Sequence, residues 1–222
     1  MSVMINKDTQ IYCSFSKNRG NVGTKIFNTC FTYYGINSLY RSFSVEDIGP
    51  AVTAARCLQF SGFAVSMPFK KAVIEHLDSI SVDAEQIGAV NTVVNKNGLL
   101  KGYNTDWQAA KTYLEQLKIS EIYILGDGGY AQSVKYASEK LKIRYKIINR
   151  QNWDLIERLE NKTIFNCTPV ENIQTKIKKN NLFIDCITAT KTGKHLAMLQ
   201  AAKQFELYTN LQFPLKVENE KV

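Results

Sequence analysis

The segment IYILGDGGYA, Ile122–Ala131, constrains the fold of this chain more than any other. A continuous apolar run, Ile122–Leu125, leads into Gly126-Asp127-Gly128-Gly129-Tyr130-Ala131, and a helical pattern follows to about Leu141. The spacing Gly126-x-Gly128-x-x-Ala131 matches GxGxxG/A. The first glycine permits a tight strand-to-helix turn, the second lets the backbone approach a pyrophosphate, and the small third residue lets helix pack on strand. The helix N-terminus then offers unpaired N–H groups to phosphate oxygens. A purely structural glycine turn is the other reading of the same residues. The next strand, Tyr145–Ile148, ends in Asn149-Arg150 with no carboxylate before Asp154. A guanidinium there suits a 2′-phosphate, which favours NADP over NAD. Asp127 dissents, because a carboxylate inside the turn repels a pyrophosphate unless it is turned to solvent.

The rest of the chain alternates strand and helix patterns, which predicts an α/β fold with mostly parallel sheets. Ile11–Phe15, Leu39–Phe43 and Gly62–Ser66 read as strands. Between them, Ile26, Phe27, Cys30, Phe31 and Tyr34 recur at helical spacing before Gly35, and Pro50 opens PAVTAARCLQF as a helix. Pro68-Phe69-Lys70-Lys71 is expected to begin another helix. Two apolar runs flank Asn97-Gly98, the strongest hairpin signal present. Trp107, Ala110, Leu114 and Leu117 then share a helical face. Thr163–Cys167 and Leu182–Ile187 read as further strands, and GKHLAMLQAAKQFELYT as a helix.

Composition removes several chemistries. The cysteines, Cys13, Cys30, Cys57, Cys167 and Cys186, are scattered and odd in number, which predicts reduced thiols and a cytoplasmic setting. With only His76 and His195, no zinc-ligand spacing exists and no metal is expected; His76 reads as a helix-surface residue. No GxSxG elbow accompanies the histidines. The net charge of +8 is spread along the chain, with its densest run at Lys176, Lys178 and Lys179. That distribution favours a small anionic ligand over nucleic acid. No stretch approaches a membrane span, and the opening MSVMINKDTQIYCSF lacks the apolar core of a secretory signal.

Several ordered motifs together resemble the shikimate dehydrogenase family. GAVNTVVNKNGLLKGYNTDW follows that family's GAVNT…GYNTD block, and GFAVSMPFK resembles GxNVTxPxK with Ala64 for Asn and Ser66 for Thr. LGDGGYA resembles LGAGGAA, INR resembles an NADP-selecting NR(T/S), NCTP resembles NATP, and GKHLAMLQAAKQF resembles the C-terminal helix. INKDTQ with S-x-S, SMPFK and FELYT point to the shikimate-dehydrogenase-like branch.

The resemblance implies an N-terminal α/β substrate domain over 1–107, completed by a C-terminal helix over 193–222, and a reduced Rossmann-like NADP-binding domain over 108–192. It implies Lys70 and Asp106 as catalytic groups. Ser14 and Ser16 would bind a substrate carboxylate, and Ser66, Asn91 and Gln200 substrate hydroxyls. Gly126, Gly128, Gly129, Ala131, Asn149, Arg150, Thr168 and Gly193 would meet the cofactor. Read without the family, Lys70 is a helix lysine, Asp106 a helix N-cap, and Ser14 and Ser16 loop serines.

Oxidising a secondary alcohol requires hydride removal from carbon and proton removal from oxygen, tasks for a nicotinamide and for a lysine. The expected activity is therefore NADP-dependent interconversion of a shikimate-like cyclic hydroxy acid and its 3-keto form, within aromatic amino acid biosynthesis. A quinate-type dehydrogenase and a weakly active or non-catalytic NADP or metabolite binder are the alternatives. The expected assembly is a monomer or homodimer. Departures from the family pattern are Lys17 for Pro, Phe27 for His, and a short CITATKT between Asp185 and Gly193 where a Tyr-containing segment is usual. The segment after Arg150 is short as well, so the cofactor domain is expected to lack a strand.

Overall fold

The computed structural model describes residues 5–216, so residues 217–222 of the helix expected over 193–222 lie outside the described residues, as do the first four. Within that range the chain forms two compact units, one of residues 5–105 with Ala201–Lys216 and one of Asp106–Gln200.

The first unit is built on a six-stranded sheet of order β2-β1-β3-β5-β6-β4. Its strands are β1 (Gln10–Ser16), β2 (Ser38–Ser44), β3 (Gly62–Val65), β4 (Ser79–Ile80), β5 (Thr92–Lys96) and β6 (Leu99–Tyr103). β2 and β3 run parallel to β1, whereas β5 pairs antiparallel with both β3 and β6. The mostly parallel sheet expected here is therefore mixed. The cause is the hairpin: Asn97 (φ 55°) and Gly98 (φ 86°) adopt the left-handed conformations of a tight two-residue turn, which forces antiparallel pairing.

Helices α1 (Val22–Tyr34), α2 (Ile48–Cys57) and α3 (Val82–Ile87) belong to the same unit. Gly35 ends α1 at φ 64°, where its N–H reaches the Phe31 and Thr32 carbonyls. Asp47 caps α2, so that helix starts two residues before Pro50. The sheet is buried on both faces. Phe15, Phe63, Phe69, Val73 and Leu100 share one cluster, and Tyr12, Phe27, Phe31, Tyr40, Phe205 and Tyr208 another.

Pro68 does not open an α-helix. Residues 67–71 form a turn, followed only by a short 3-10 segment, Ala72–His76. Tertiary bonds compete with helix propagation here: Lys17 N–H donates to the Met67 carbonyl (3.1 Å) and Val90 N–H to the Lys70 carbonyl (2.8 Å). A carbonyl engaged by a distant N–H competes with helical pairing to the residue four positions on. His76 accordingly ends a 3-10 segment, half-buried, instead of lying on a helix surface.

Arg56 of α2 ties this region to the hairpin. Its guanidinium donates to the Asp78 carboxylate (2.8 Å), to the His76 carbonyl (3.3 Å) and to the Gly98 carbonyl. The Leu100 N–H, donating to the same carboxylate at 2.6 Å, and Arg56 together hold Asp78 below the usual carboxylate range. A carboxyl with a depressed folded pKa stabilises the fold fully above its unfolded value of about 4, and loses that contribution as pH falls through the lower folded value. Melting measured from neutral pH down to about pH 3 should therefore fall less steeply for Asp78→Asn than for the parent chain. Equal pH slopes would show that this carboxylate does not stabilise the fold.

The second unit has a four-stranded sheet of order β10-β9-β7-β8, with every pairing parallel. Its strands are β7 (Glu121–Leu125), β8 (Arg144–Ile148), β9 (Thr163–Asn166) and β10 (Leu182–Asp185), and its helices α4 (Asp106–Leu117) and α5 (Gly129–Lys140). α6 (Lys191–Thr209) starts in this unit. Between β8 and β9 the described chain makes only a short 3-10 segment, Trp153–Arg158, in place of a further strand.

Candidate active site

In the first unit, strand order brings the expected substrate residues to one end of the sheet. Ser14 and Ser16 are two apart on β1 and so share a face. β3 runs beside β1, with Ser14 paired to Ala64, and Ser66 follows its C-terminal end with its N–H on the Phe15 carbonyl (2.9 Å). Because β5 is antiparallel to β3, its N-terminal end lies at the same place, and Val65 N–H donates to the Asn91 carbonyl (2.8 Å). Lys70 is half-buried two residues beyond Pro68. Phe69, buried in the core, anchors that turn, and a buried phenylalanine side chain contributes ~1.5–3 kcal/mol.

Two departures from the family pattern have local explanations. Lys17 supplies the N–H that bonds Met67, a bond that proline cannot make. Phe27 stacks on Tyr40, with centroids 4.5 Å apart and planes at 18°. Burial pushes the Tyr40 phenol up, and the Ser14 hydroxyl bonded to it partly opposes that shift. Tyr40 is thus a neighbour of the proposed carboxylate site that sequence reasoning did not single out. Its alternation with Ser42 on β2 was the available signal.

Asn91 is 2 % exposed and its side chain faces inward. Its Nδ2 donates to Thr105 Oγ1 (3.0 Å), and its Oδ1 accepts from the Thr105 N–H (2.8 Å) and the Thr92 hydroxyl (2.9 Å). Asn104 donates to the Ala89 carbonyl (3.0 Å). These bonds join the AVNT and NTD parts of the sequence block and fix the residue before Asp106.

In the second unit, the glycine turn closes β7 and opens α5. Gly126 takes φ 97°, a conformation L side chains rarely adopt, and a Cβ there would lie 2.8 Å from the side chain of Thr168, just beyond β9. A Cβ on Gly128 would meet nothing within 4 Å, and that N-cap has no side-chain partner. The Gly128 position is therefore open, with the α5 N–H groups behind it, as a phosphate cradle requires. Ala131 is buried against the sheet. Asp127 is exposed, and its Oδ1 accepts from Gln132 Nε2 (2.6 Å).

Asn149 and Arg150 follow β8, with Arg150 exposed, and Thr168 follows β9, held by two bonds to Asn166 Oδ1 (3.0 and 2.7 Å). The residues present thus fit a dinucleotide with a 2′-phosphate. Asp106 is buried at the start of α4. Burial first, and then Cys186, Asp106 and Cys167, push the Tyr130 phenol well above its ordinary range. Gly193 and Gln200 lie on α6. Lys70 falls in the first unit and Asp106 in the second.

The family model of the shikimate dehydrogenase substrate binding domain matches residues 21–93. A shikimate dehydrogenase-like protein of Haemophilus influenzae is 33% identical across 93% of this chain and 93% of its own length. The chain belongs to the shikimate dehydrogenase family. Within that family it is 38% identical to the shikimate dehydrogenase (NADP(+)) of Alkaliphilus metalliredigens, over 80% of this chain and 67% of that protein. It is 40% identical to the shikimate dehydrogenase (NADP(+)) of Pyrococcus abyssi, but over only 51% of this chain and 44% of that protein. A solved shikimate 5-dehydrogenase-like protein superposes with a TM-score of 0.81 at 31% identity, covering 96% of each chain. The shikimate dehydrogenase of Aquifex aeolicus gives 0.78 at 26%, covering 96% of this chain and 97% of that one. These matches fix the α/β class with a Rossmann-like second unit.

Proposed function

We propose that this shikimate dehydrogenase family member is an NADP-dependent oxidoreductase that interconverts a shikimate-like cyclic hydroxy acid and its 3-keto form. The observation that carries this reading is the gathering of Ser14, Ser16, Ser66 and the Lys70 turn at one end of the first sheet. Two hydroxyls on one face match a carboxylate, Ser66 adds a hydroxyl donor, and Lys70 supplies an ammonium or amine for the reacting oxygen. In oxidation Lys70 accepts the hydroxyl proton, and in reduction it returns one to the ketone oxygen. Asp106 is assigned as the second acid–base group, and Asn91 and Gln200 complete the hydroxyl contacts. NADP, when bound, supplies the hydride acceptor or donor. Gly126, Gly128, Gly129 and Ala131 would hold its pyrophosphate, Asn149 and Arg150 its 2′-phosphate, and Thr168 and Gly193 would flank it.

Two of the relatives are named shikimate dehydrogenase (NADP(+)), and that supports the same substrate class here. The direct test is NADPH formation with shikimate and with quinate, alongside calorimetric titration of each acid. Ser14→Ala with Ser16→Ala should abolish the heat of acid binding, and Arg150→Ala should weaken NADP while leaving NAD unchanged. Retained acid binding in the double serine variant would remove the carboxylate assignment.

One observation favours a second reading, acid and NADP binding with weak turnover. β10 is joined to α6 by a tight turn in which Thr190 N–H meets the Ile187 carbonyl (2.9 Å). Such a turn leaves little chain to shield a nicotinamide from water. Binding of both ligands without NADPH formation would select this reading.

A further inference from the structure

We infer that Gln204 is a positioning residue for Asn91 and for Thr105, which leads directly into Asp106. The inference rests on the functional reading above. Gln204 is 2 % exposed, one helical turn beyond Gln200 on α6. Its Nε2 donates to the Asn91 carbonyl (3.2 Å) and to Thr92 Oγ1 (2.9 Å). An amide nitrogen has two protons, and both are committed here.

The consequence is a direction imposed on the next bonds. Thr92 is fully buried, and its hydroxyl accepts from Gln204, so its single proton must go elsewhere. Asn91 Oδ1 lies at 2.9 Å, while Thr105 Oγ1 lies at 3.5 Å. The proton therefore goes to Asn91. Asn91 Oδ1 then receives the Thr92 hydroxyl on one side and the Thr105 N–H on the other, which leaves Nδ2 to donate to Thr105 Oγ1. A flipped amide would face two donors with its NH2 group, and Thr105 would have to move. Gln204 thus orders a relay, Gln204 to Thr92 to Asn91 to Thr105. Together with the Thr105 N–H, the relay fixes which end of Asn91 carries donors and holds Thr105 in place. Gln204 itself has no amide proton left for a ligand.

The test uses the full chain and four variants. Gln204→Met keeps the side-chain length without its amide, and Thr92→Val keeps volume without the hydroxyl. Thr92→Ser keeps the relay, and the double variant combines Gln204→Met with Thr92→Val. Each single relay-breaking variant should lower kcat/KM for the hydroxy acid by roughly tenfold or more, since Gln204→Met removes the donor to the Asn91 carbonyl and Thr92→Val strands a buried Gln204 amide proton. The NADP dissociation constant should stay within about twofold, and the double variant should be no worse than either single one, because they break one relay. Thr92→Ser should restore most of the activity. Independent stability losses would instead be additive and leave kinetics of the folded fraction unchanged.

The side-chain amide protons of Asn91, followed by nuclear magnetic resonance, give a readout that needs no turnover. They should shift and exchange faster in Gln204→Met and Thr92→Val, and not in Thr92→Ser. Unchanged Asn91 amide signals, or wild-type kcat/KM in folded Gln204→Met, would overturn the inference. If Gln204→Met fails to fold, the Thr92 pair decides it. If the parent chain turns over no hydroxy acid, the functional reading fails, and the Asn91 signals still decide the relay.

Discussion

Replacing Lys70 by alanine is expected to lower kcat by ~10²–10⁴-fold, equivalent to roughly 3–5 kcal/mol of transition-state stabilisation, with NADP affinity unchanged. In this variant the side chain leaves and the backbone stays. The Lys70 carbonyl is held by the Val90 N–H, the Met67 carbonyl by the Lys17 N–H, and Phe69 by the core. None of these contacts uses the lysine amine, so the turn keeps its place in the variant. Lys70→Arg separates charge from proton transfer: a guanidinium keeps the positive charge but does not deprotonate, so it should also be slow. Lys71→Ala, at the exposed neighbouring position, should behave as wild type. Retention of more than half the parent rate by Lys70→Ala would remove this lysine from the chemistry.

What could be read in the sequence was mostly local. Asn97-Gly98 announced its hairpin because few residue pairs accept two consecutive positive φ angles. The strand–glycine–helix order around Gly126 likewise carried its own geometry, as did the two-residue spacing of Ser14 and Ser16. What escaped was decided by distant partners. Pro68 is as good a turn residue as a helix opener, and only the bonds from Lys17 and Val90 settle the choice. The hairpin set β5 against β6, but nothing in Thr92–Lys96 states that its other edge pairs antiparallel with β3. The bonds of Asn91 to Thr105 and to Gln204 span long stretches of chain, so they left no local pattern. Asp127 is exposed and accepts a hydrogen bond from Gln132, a partner four residues beyond the glycine that precedes α5 and one that leaves its charge in place. The glycines form the sharpest case, because the sequence pattern places both Gly128, at the pyrophosphate, and Gly193, near the nicotinamide, against the cofactor.

Structure predicts opposite behaviour for those two glycines. A Cβ on Gly193 would lie 2.0 Å from the Ile187 carbonyl oxygen and 2.5 Å from its carbon. Both are backbone atoms, so no side-chain rotation relieves the clash. The turn that must move is tightly bonded. Gly193 N–H donates to Thr190 Oγ1 (3.1 Å), Thr190 Oγ1 donates to the Ile187 carbonyl (2.8 Å), and Asp185 N–H donates to Thr192 Oγ1 (2.9 Å). Gly193→Ala should therefore cost about 3 kcal/mol, near the upper end of overpacking penalties. That corresponds to a fall in Tm of roughly 6–12 °C without any cofactor present. Gly128→Ala meets nothing within 4 Å and keeps φ at −81°, which alanine accepts. As an N-cap change it should lower Tm of the free protein by no more than about 4 °C, while weakening NADP by closing the approach to the α5 N–H groups. Thermal melts of both variants with and without NADP separate the roles. A Gly193→Ala protein as stable as the parent would show that α6 can shift at its first turn, and a Gly128→Ala protein with parental NADP affinity would move the phosphate site away from this glycine.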